Sequence, residues 1–280
     1  MGPAALRCRC ETGGGERTGV FPVREPPITR IRRSRRRHGL LLLLDIDGTL
    51  APIAPTPEAA RVPRRTLRAI ERLRDRSDTK IGLISGRPLE EIDRLVPVSG
   101  LAIVGVHGFV RRSPGRRQEV LWNAALLARA RRLALRLKTL ERSFPGVLIE
   151  RKGANVVLHT RKVDRARRRE VESLASERVP KGFETLSGRC VLEFRPKNAP
   201  TKGDAVKWFR RLHPKAVILY AGDDVTDEEA FAELRKEDFG ILVGGADRDR
   251  GKKIATRARY FLSGPQALGK MLEILAAEDQ

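Results

Sequence analysis

From residue 40 onward, short and wholly apolar runs recur along this chain. Between them lie stretches in which apolar side chains return every three or four positions. The runs Leu40–Leu44, Ile81–Ile84, Leu101–Val104, Val217–Tyr220 and Ile241–Val243 predict strands buried on both faces. Such strands belong in a parallel sheet covered by helices. The intervening segments Pro63–Arg76 (with Leu67, Ile70 and Leu73 on one face), Pro88–Leu95, Lys202–Leu212 and Asp227–Arg235 predict those helices. Pro63, Pro88 and Pro265 stand where a first helical turn tolerates proline. Alternation of this kind predicts an α/β fold with a doubly wound parallel sheet.

Residues 110–195 break the rhythm. A long basic helix over Ala124–Ser143 is followed by strands Val147–Lys152 and Asn155–Thr160, another helix, and strands Phe183–Leu186 and Val191–Arg195. This predicts an α+β module inserted into the parallel domain, with residues 39–109 and 196–280 forming the core. Residues 1–38 carry no apolar period, and they contain Gly13-Gly14-Gly15, Pro26-Pro27 and the basic run Arg32 to Arg37. A disordered tail is expected there. The three leucine-preceding arginines do not make a twin-arginine export signal, because the apolar run is too short and ends in an acidic motif.

The 280 residues leave room for a core and a companion module, and 40% hydrophobic content supports a buried interior. No apolar stretch approaches the roughly 20 residues that span a bilayer, so a soluble protein with no membrane partner is expected. The formal net charge of +22 would attract polyanions. Residues 1–38 supply seven of those charges, with ten arginines against three glutamates. No nucleic-acid-binding signature accompanies the charge, so nucleic acid is not expected as the main partner. Cys8, Cys10 and Cys190 form no zinc-finger spacing and suit a reducing cytoplasm. The sequence leaves the oligomeric state open.

Candidate chemistry gathers at the ends of the predicted strands, where open α/β sheets bind ligands. Asp45-Ile46-Asp47-Gly48-Thr49 follows the first strand directly. Two acids at an apolar strand end call for a cation or a substrate, and Gly48 permits a turn that points both into one crevice. The same pattern also occurs in plain turns and calcium loops. Ser85-Gly86-Arg87-Pro88 ends the second strand and opens a helix, which suits a phosphate oxygen or simply a helix cap. Lys202 opens another helix, where the macrodipole disfavours a cation. Gly222-Asp223-Asp224-Val225-Thr226-Asp227-Glu228 packs four acids at a strand end. A solvated helix start accounts for Asp227 and Glu228, whereas Asp223 and Asp224 need something positive.

In this order the elements resemble the haloacid dehalogenase superfamily of phosphatases over residues 40–280. Within it they look like the trehalose-6-phosphate phosphatase family. The signs are Asp45-Ile46-Asp47-Gly48-Thr49-Leu50-Ala51-Pro52-Ile53, the turn Gly105-Val106-His107-Gly108, and Gly222-Asp223-Asp224-Val225-Thr226-Asp227-Glu228-Glu229-Ala230-Phe231. The insert corresponds to the substrate-selecting cap of that family, with Glu150-x-Lys152 and Glu193-Phe194-Arg195-Pro196 as thinner signatures.

The resemblance implies a Mg²⁺-dependent phosphatase acting on a small sugar phosphate through an aspartyl-phosphate. Asp45 is then the nucleophile and Asp47 the acid and base, its proton favoured by neighbouring carboxylates. Mg²⁺ is expected on Asp45, the backbone carbonyl of Asp47, and Asp223, with Asp224 in support or holding Lys202. Lys202 and the Ser85 hydroxyl, with the Gly86 and Arg87 backbone, would meet the phosphoryl group. His107, Glu150, Lys152 and Glu193 would meet the sugar, although exposed charges on a cap sheet explain the last three almost as well. A sucrose phosphate or mannosyl-phosphoglycerate phosphatase is the near alternative. A basic nucleic-acid binder on a retired phosphatase fold is the remote one.

Overall fold

The structure, a computed structural model, describes residues 24–188, 190–244 and 256–277. The expectations for residues 1–23, including Cys8 and Cys10, lie outside the described residues. In chain order the strands are β1 Leu40–Leu44, β2 Thr79–Ile84, β3 Ala102–Gly105, β4 Val110–Arg112, β5 Glu119–Val120, β6 Leu148–Lys152, β7 Asn155–His159, β8 Phe183–Gly188, β9 Val191–Pro196, β10 Val217–Gly222, β11 Phe239–Val243 and β12 Tyr260–Leu262. The α-helices are α1 Ile28–His38, α2 Arg64–Arg74, α3 Leu89–Leu95, α4 Ala124–Ser143, α5 Arg168–Glu177, α6 Lys202–Leu212, α7 Asp227–Ala232 and α8 Pro265–Ala276.

Eight strands form the core sheet in the order β12-β11-β10-β1-β2-β3-β4-β5. The six from β12 to β3 are parallel, and β4 and β5 add antiparallel at the edge. The five leucines of β1 divide their side chains between two cores. Leu40, Leu42 and Leu44 pack with Ile70 and Leu73 of α2 and Leu268 and Leu272 of α8. Leu41 and Leu43 pack with Val206 and Phe209 of α6 and Phe231 of α7. A strand buried on both faces has no use for polar alternation, which is why the run is unbroken.

A second sheet, β6-β7-β9-β8, is antiparallel, and α4 and α5 cover one face of it around a core of its own. Residues 110–120, expected at the start of the insert, instead lengthen the core sheet as β4 and β5. These strands are too short to carry a readable period. Pro63 and Pro88 stand at the cap positions preceding α2 and α3 rather than inside the first turn.

The expected disordered tail also needs correction. Residues 28–38 form α1, which packs on α8 with Ile31 and Arg35 turned inward one helical turn apart. Arg35 is fully buried, donates to the Leu275 carbonyl at 2.7 Å and pairs with Asp78 at 3.4 Å. A helix whose inner face is half arginine leaves no hydrophobic stripe to read. Among the described residues no helix is long and apolar enough to cross a membrane.

Candidate active site

β1 and β10 are parallel neighbours with Leu44 opposite Ala221, so the residues that follow them emerge side by side. Asp45 leaves β1 with its N–H on the Ala221 carbonyl, and Asp223 follows the last residue of β10. The chain then turns tightly, the Ile46 carbonyl accepting from the N–H groups of Thr49, Leu50 and Ala51. Gly48 has φ 81°, and a Cβ placed there would lie 2.0 Å from Asp223 Oδ2. The glycine therefore serves two ends, a left-handed turn and room for the second acid. Thr49 Oγ1 donates to Asp223 Oδ1 at 3.3 Å.

Lys202, the first residue of α6, is buried and donates from Nζ to Asp45 Oδ1 at 3.0 Å and Asp227 Oδ1 at 2.7 Å. The helix dipole opposes a cation at this position, and the two carboxylates overcome it. Asp227 is the residue that sequence reasoning misplaced. It is fully buried rather than part of a solvated helix start, and it holds Lys202 in place of Asp224. Its Oδ1 also accepts from the Tyr220 hydroxyl, while Oδ2 accepts from the N–H groups of Asp223 and Asp224 at 3.0 and 2.9 Å. Asp224 itself is exposed and its carboxylate accepts from the Val225 N–H. Side-chain direction after a strand end decides which of four nearby acids turns inward, and residue identity does not encode it.

Oxygens of Asp45, Asp223 and Asp227 lie within 4.8 Å of one another. Burial, reinforced by the charges of Asp227 and Asp47 and partly offset by Lys202, pushes the Asp45 carboxyl up to about 7. Burial, with the charges of Asp45 and Asp227, pushes Asp223 up to about 9. Burial works against the Lys202 ammonium, but Asp227 and Asp45 outweigh it and hold that group above its ordinary value. Three carboxylates thus share one lysine, and the residual negative charge is what a divalent cation would neutralise. The donor set is oxygen only, and the missing Gly48 side chain leaves space beside Asp223. The residues present fit a hard cation such as Mg²⁺. Both oxygens of Asp227 are already engaged by protein donors, so Asp45 and Asp223 are the available ligands.

The other predicted residues form a second layer of this rim. Ser85 is buried, and its Oγ accepts from the Arg87 N–H at 3.2 Å, which leaves the hydroxyl proton to donate elsewhere. The Arg87 guanidinium does not stand free for a sugar phosphate. It grips Asp47 through Nε to Oδ2 at 2.6 Å and Nη2 to Oδ1 at 2.7 Å, and reaches Glu91 at 2.9 Å. Asp47 is therefore met by a guanidinium, where neighbouring carboxylates were expected.

Val106 and His107 have φ of 49° and 54°, two successive non-glycine residues in the left-handed region. Such positions cost on the order of 1–3 kcal/mol each and persist where surrounding contacts enforce them. The enforcing contacts are Val106 N–H to the Arg87 carbonyl at 2.9 Å and His107 N–H to the Ser85 carbonyl at 3.1 Å. The His107 ring thereby crosses Gly86, where a Cβ would lie 2.3 Å from Nε2. Burial pushes the imidazole below its ordinary value, partly opposed by Glu193.

Glu193 of β9 comes within 3.5 Å of His107 Nε2 and accepts from Asn155 Nδ2 at 2.6 Å. It is the predicted cap residue that the structure brings to the core rim. Glu150 and Lys152 pair with each other at 3.6 Å, and Glu150 also meets His159 at 2.9 Å. Asn155, His159 and Tyr220 were not anticipated, since each lies within a segment that reads only as a strand. Arg195, noted as part of a signature, is a further tie between the two sheets. It pairs with Glu184 at 2.5 Å on β8 and with Glu229 at 2.6 Å on α7.

Comparison with known proteins agrees with this geometry. The trehalose-phosphatase family profile matches residues 43–266. The probable trehalose-phosphate phosphatase of Sinorhizobium fredii is 38% identical over 241 residues, 84% of this chain and 87% of that protein. The trehalose-6-phosphate phosphatase of Escherichia coli K12 is 30% identical over 236 residues, 82% of this chain and 84% of that protein. A solved trehalose-6-phosphate phosphatase related protein superposes with TM-score 0.69 at 28% identity, covering 84% of this chain and 96% of the other. The Candida albicans trehalose-6-phosphate phosphatase C-terminal domain superposes with TM-score 0.77 at 22% identity, covering 91% and 99%, and so shares the fold. With its paired acids, buried lysine and capped α/β architecture of the haloacid dehalogenase type, the chain belongs to the trehalose-phosphatase family of phosphoric monoester hydrolases.

Proposed function

We propose that this chain hydrolyses trehalose 6-phosphate to trehalose and phosphate through an aspartyl-phosphate on Asp45, with Mg²⁺ as cofactor. The observation that carries the reading is the convergence of Asp45, Asp223 and Lys202 at one rim, with oxygens of the two acids within 4.8 Å. The family's named substrate supplies the sugar. A cytoplasmic setting, suggested by the sparse cysteines, is part of the same proposal.

Asp45 attacks phosphorus as an ionised carboxylate and divides the displacement into two easier steps. Lys202 occupies Oδ1 of Asp45, which leaves Oδ2 as the nucleophilic oxygen. Asp47 protonates the departing sugar oxygen and later takes a proton from the water that opens the acyl phosphate. Ser85 Oγ–H and the Gly86 amide receive the equatorial phosphoryl oxygens. Asp45, Asp223 and the Asp47 backbone carbonyl would hold Mg²⁺, which supplies charge neutralisation for the two carboxylates and the phosphoryl group. Glu193, with His107 behind it, would accept from a sugar hydroxyl, and Glu150 and Lys152 would add contacts from the cap.

Two measurements test this. Phosphate release from a panel of trehalose 6-phosphate, sucrose 6-phosphate and mannosyl-3-phosphoglycerate should be fastest with the first; preference for another ester would reassign the substrate. Chelation with EDTA should abolish turnover and Mg²⁺ should restore it, whereas indifference to both would remove the cofactor assignment.

A further inference from the structure

We propose that Arg87 is a positioning residue, which aims the Asp47 carboxylate for its two proton transfers, and not a ligand of the sugar phosphate. The inference rests on the assignment of Asp47 as acid and base.

The two partners are unequally anchored. The Arg87 side chain is 9% exposed and that of Asp47 is 43% exposed. One edge of the guanidinium is spent on both Asp47 oxygens, and Nη1 is spent on Glu91 at 2.9 Å and the Pro57 carbonyl at 3.1 Å. Four of its five N–H donors are thus committed within the protein. The Arg87 backbone is held as well, by Ser85 Oγ on its N–H and by the Val106 N–H on its carbonyl. The buried, many-times-held arginine is the frame, and the half-exposed aspartate is what it frames. A bidentate fork fixes the plane of a carboxylate as well as its place, which a single contact does not.

Orientation of that plane matters in both steps. In the first, the bond from Asp45 to phosphorus forms as the bond to the sugar oxygen breaks, and that oxygen takes the proton that Asp47 carries on the lone pair turned away from the Arg87 fork. In the second, water attacks the same phosphorus, its proton goes to Asp47, and the Asp45–phosphorus linkage breaks to release phosphate. Each transfer needs an Asp47 oxygen within hydrogen-bond reach of a different atom on one side of the phosphoryl group. A misplacement of about 1 Å costs on the order of a hundredfold in rate.

Arg87→Gln should therefore lower kcat about a hundredfold with KM within about threefold of wild type. Arg87→Lys, which keeps the charge and loses the fork, should remain about tenfold down. In the Asp47→Asn background, adding Arg87→Gln should change kcat by less than about threefold, since nothing is left to aim. A rise in KM at unchanged kcat, full activity of Arg87→Lys, or a further multiplicative loss in the double variant would each overturn the proposal. Near-normal kcat in Asp47→Asn alone would instead remove Asp47 as acid and base, and the inference with it. Should Arg87→Gln not fold, Glu91→Ala releases one anchor of the guanidinium without touching Asp47. It should lower kcat several-fold at constant KM, and a change confined to KM would count against the proposal.

Discussion

Acid–base pairs line both the rim of the core sheet and the face of the cap sheet, but water reaches them unequally. At the rim the side chains of Asp45, Lys202 and Asp227 are 6%, 4% and 0% exposed. On the cap, Glu150, His159 and Lys152 are 37%, 26% and 21% exposed. A buried pair loses about 3–5 kcal/mol when one partner is removed, because the other charge is left without water or counter-ion. A half-solvated pair is worth about 0–1 kcal/mol. The rim therefore holds one arrangement, suited to chemistry that does not vary. The cap pairs can open and re-form on a sugar hydroxyl at little cost, which suits the sugar contacts proposed for them.

The sharpest break of that contrast is at the proposed nucleophile. Asp45→Asn should reduce turnover by at least about 10⁴-fold while the melting temperature stays comparable, because the isosteric amide still accepts from Lys202 and Asp227 keeps that lysine paired; substantial residual phosphate release would remove Asp45 as nucleophile. Next comes the hidden support. Asp227→Ala takes one of its two carboxylates from Lys202 and leaves the Tyr220 hydroxyl and two backbone N–H groups unpaired, and should destabilise the protein by about 3–5 kcal/mol in denaturant unfolding. Glu193→Gln on the cap should raise KM about tenfold with kcat within about threefold, since the amide oxygen still accepts from Asn155.

The comparison also has a pH dependence. In the metal-free protein Asp45 sits at about 7 and Asp223 at about 9, both above their value of 3.8 in an unfolded chain. Between about pH 4 and pH 9 the folded state thus binds protons that the unfolded state has released, and stability falls as pH rises. Thermal melts in EDTA should show the midpoint dropping across this window. Saturating Mg²⁺ should oppose the drop, because binding requires the ionised carboxylates. The smallest effect belongs to the exposed neighbour: Asp224→Ala should leave kcat within about twofold and stability within about 0.5 kcal/mol, as surface substitutions usually do.

The fold was legible because the parallel strands are buried on both faces and read as unbroken apolar runs, Leu40–Leu44 above all. Helix α1 was not, since its inner face combines Ile31 with Arg35, and an arginine stem buries apolar length without looking hydrophobic. Of the candidate site, Asp45, Asp47 and Asp223 follow strands of the core sheet, the positions that its topology assigns to ligands, and Lys202 was visible only as a cation at a helix start. The exchange of roles between Asp224 and Asp227 was not, because both lie in one short turn and only the direction of each side chain separates them. Arg87 was read only through its backbone, at a helix start suited to a phosphate oxygen, and its guanidinium was given no partner. Its partner Asp47 is 40 positions away in the chain, and no local pattern signals that pairing.

The account depends on Asp45 and Asp223 serving one divalent ion between β1 and β10. Crystals soaked in Mn²⁺, with anomalous scattering recorded at the manganese edge, address this directly. A single strong peak within about 2.2 Å of a carboxylate oxygen from each of these two residues is the predicted result. A peak elsewhere, or none at saturating Mn²⁺ in an active preparation, would contradict it.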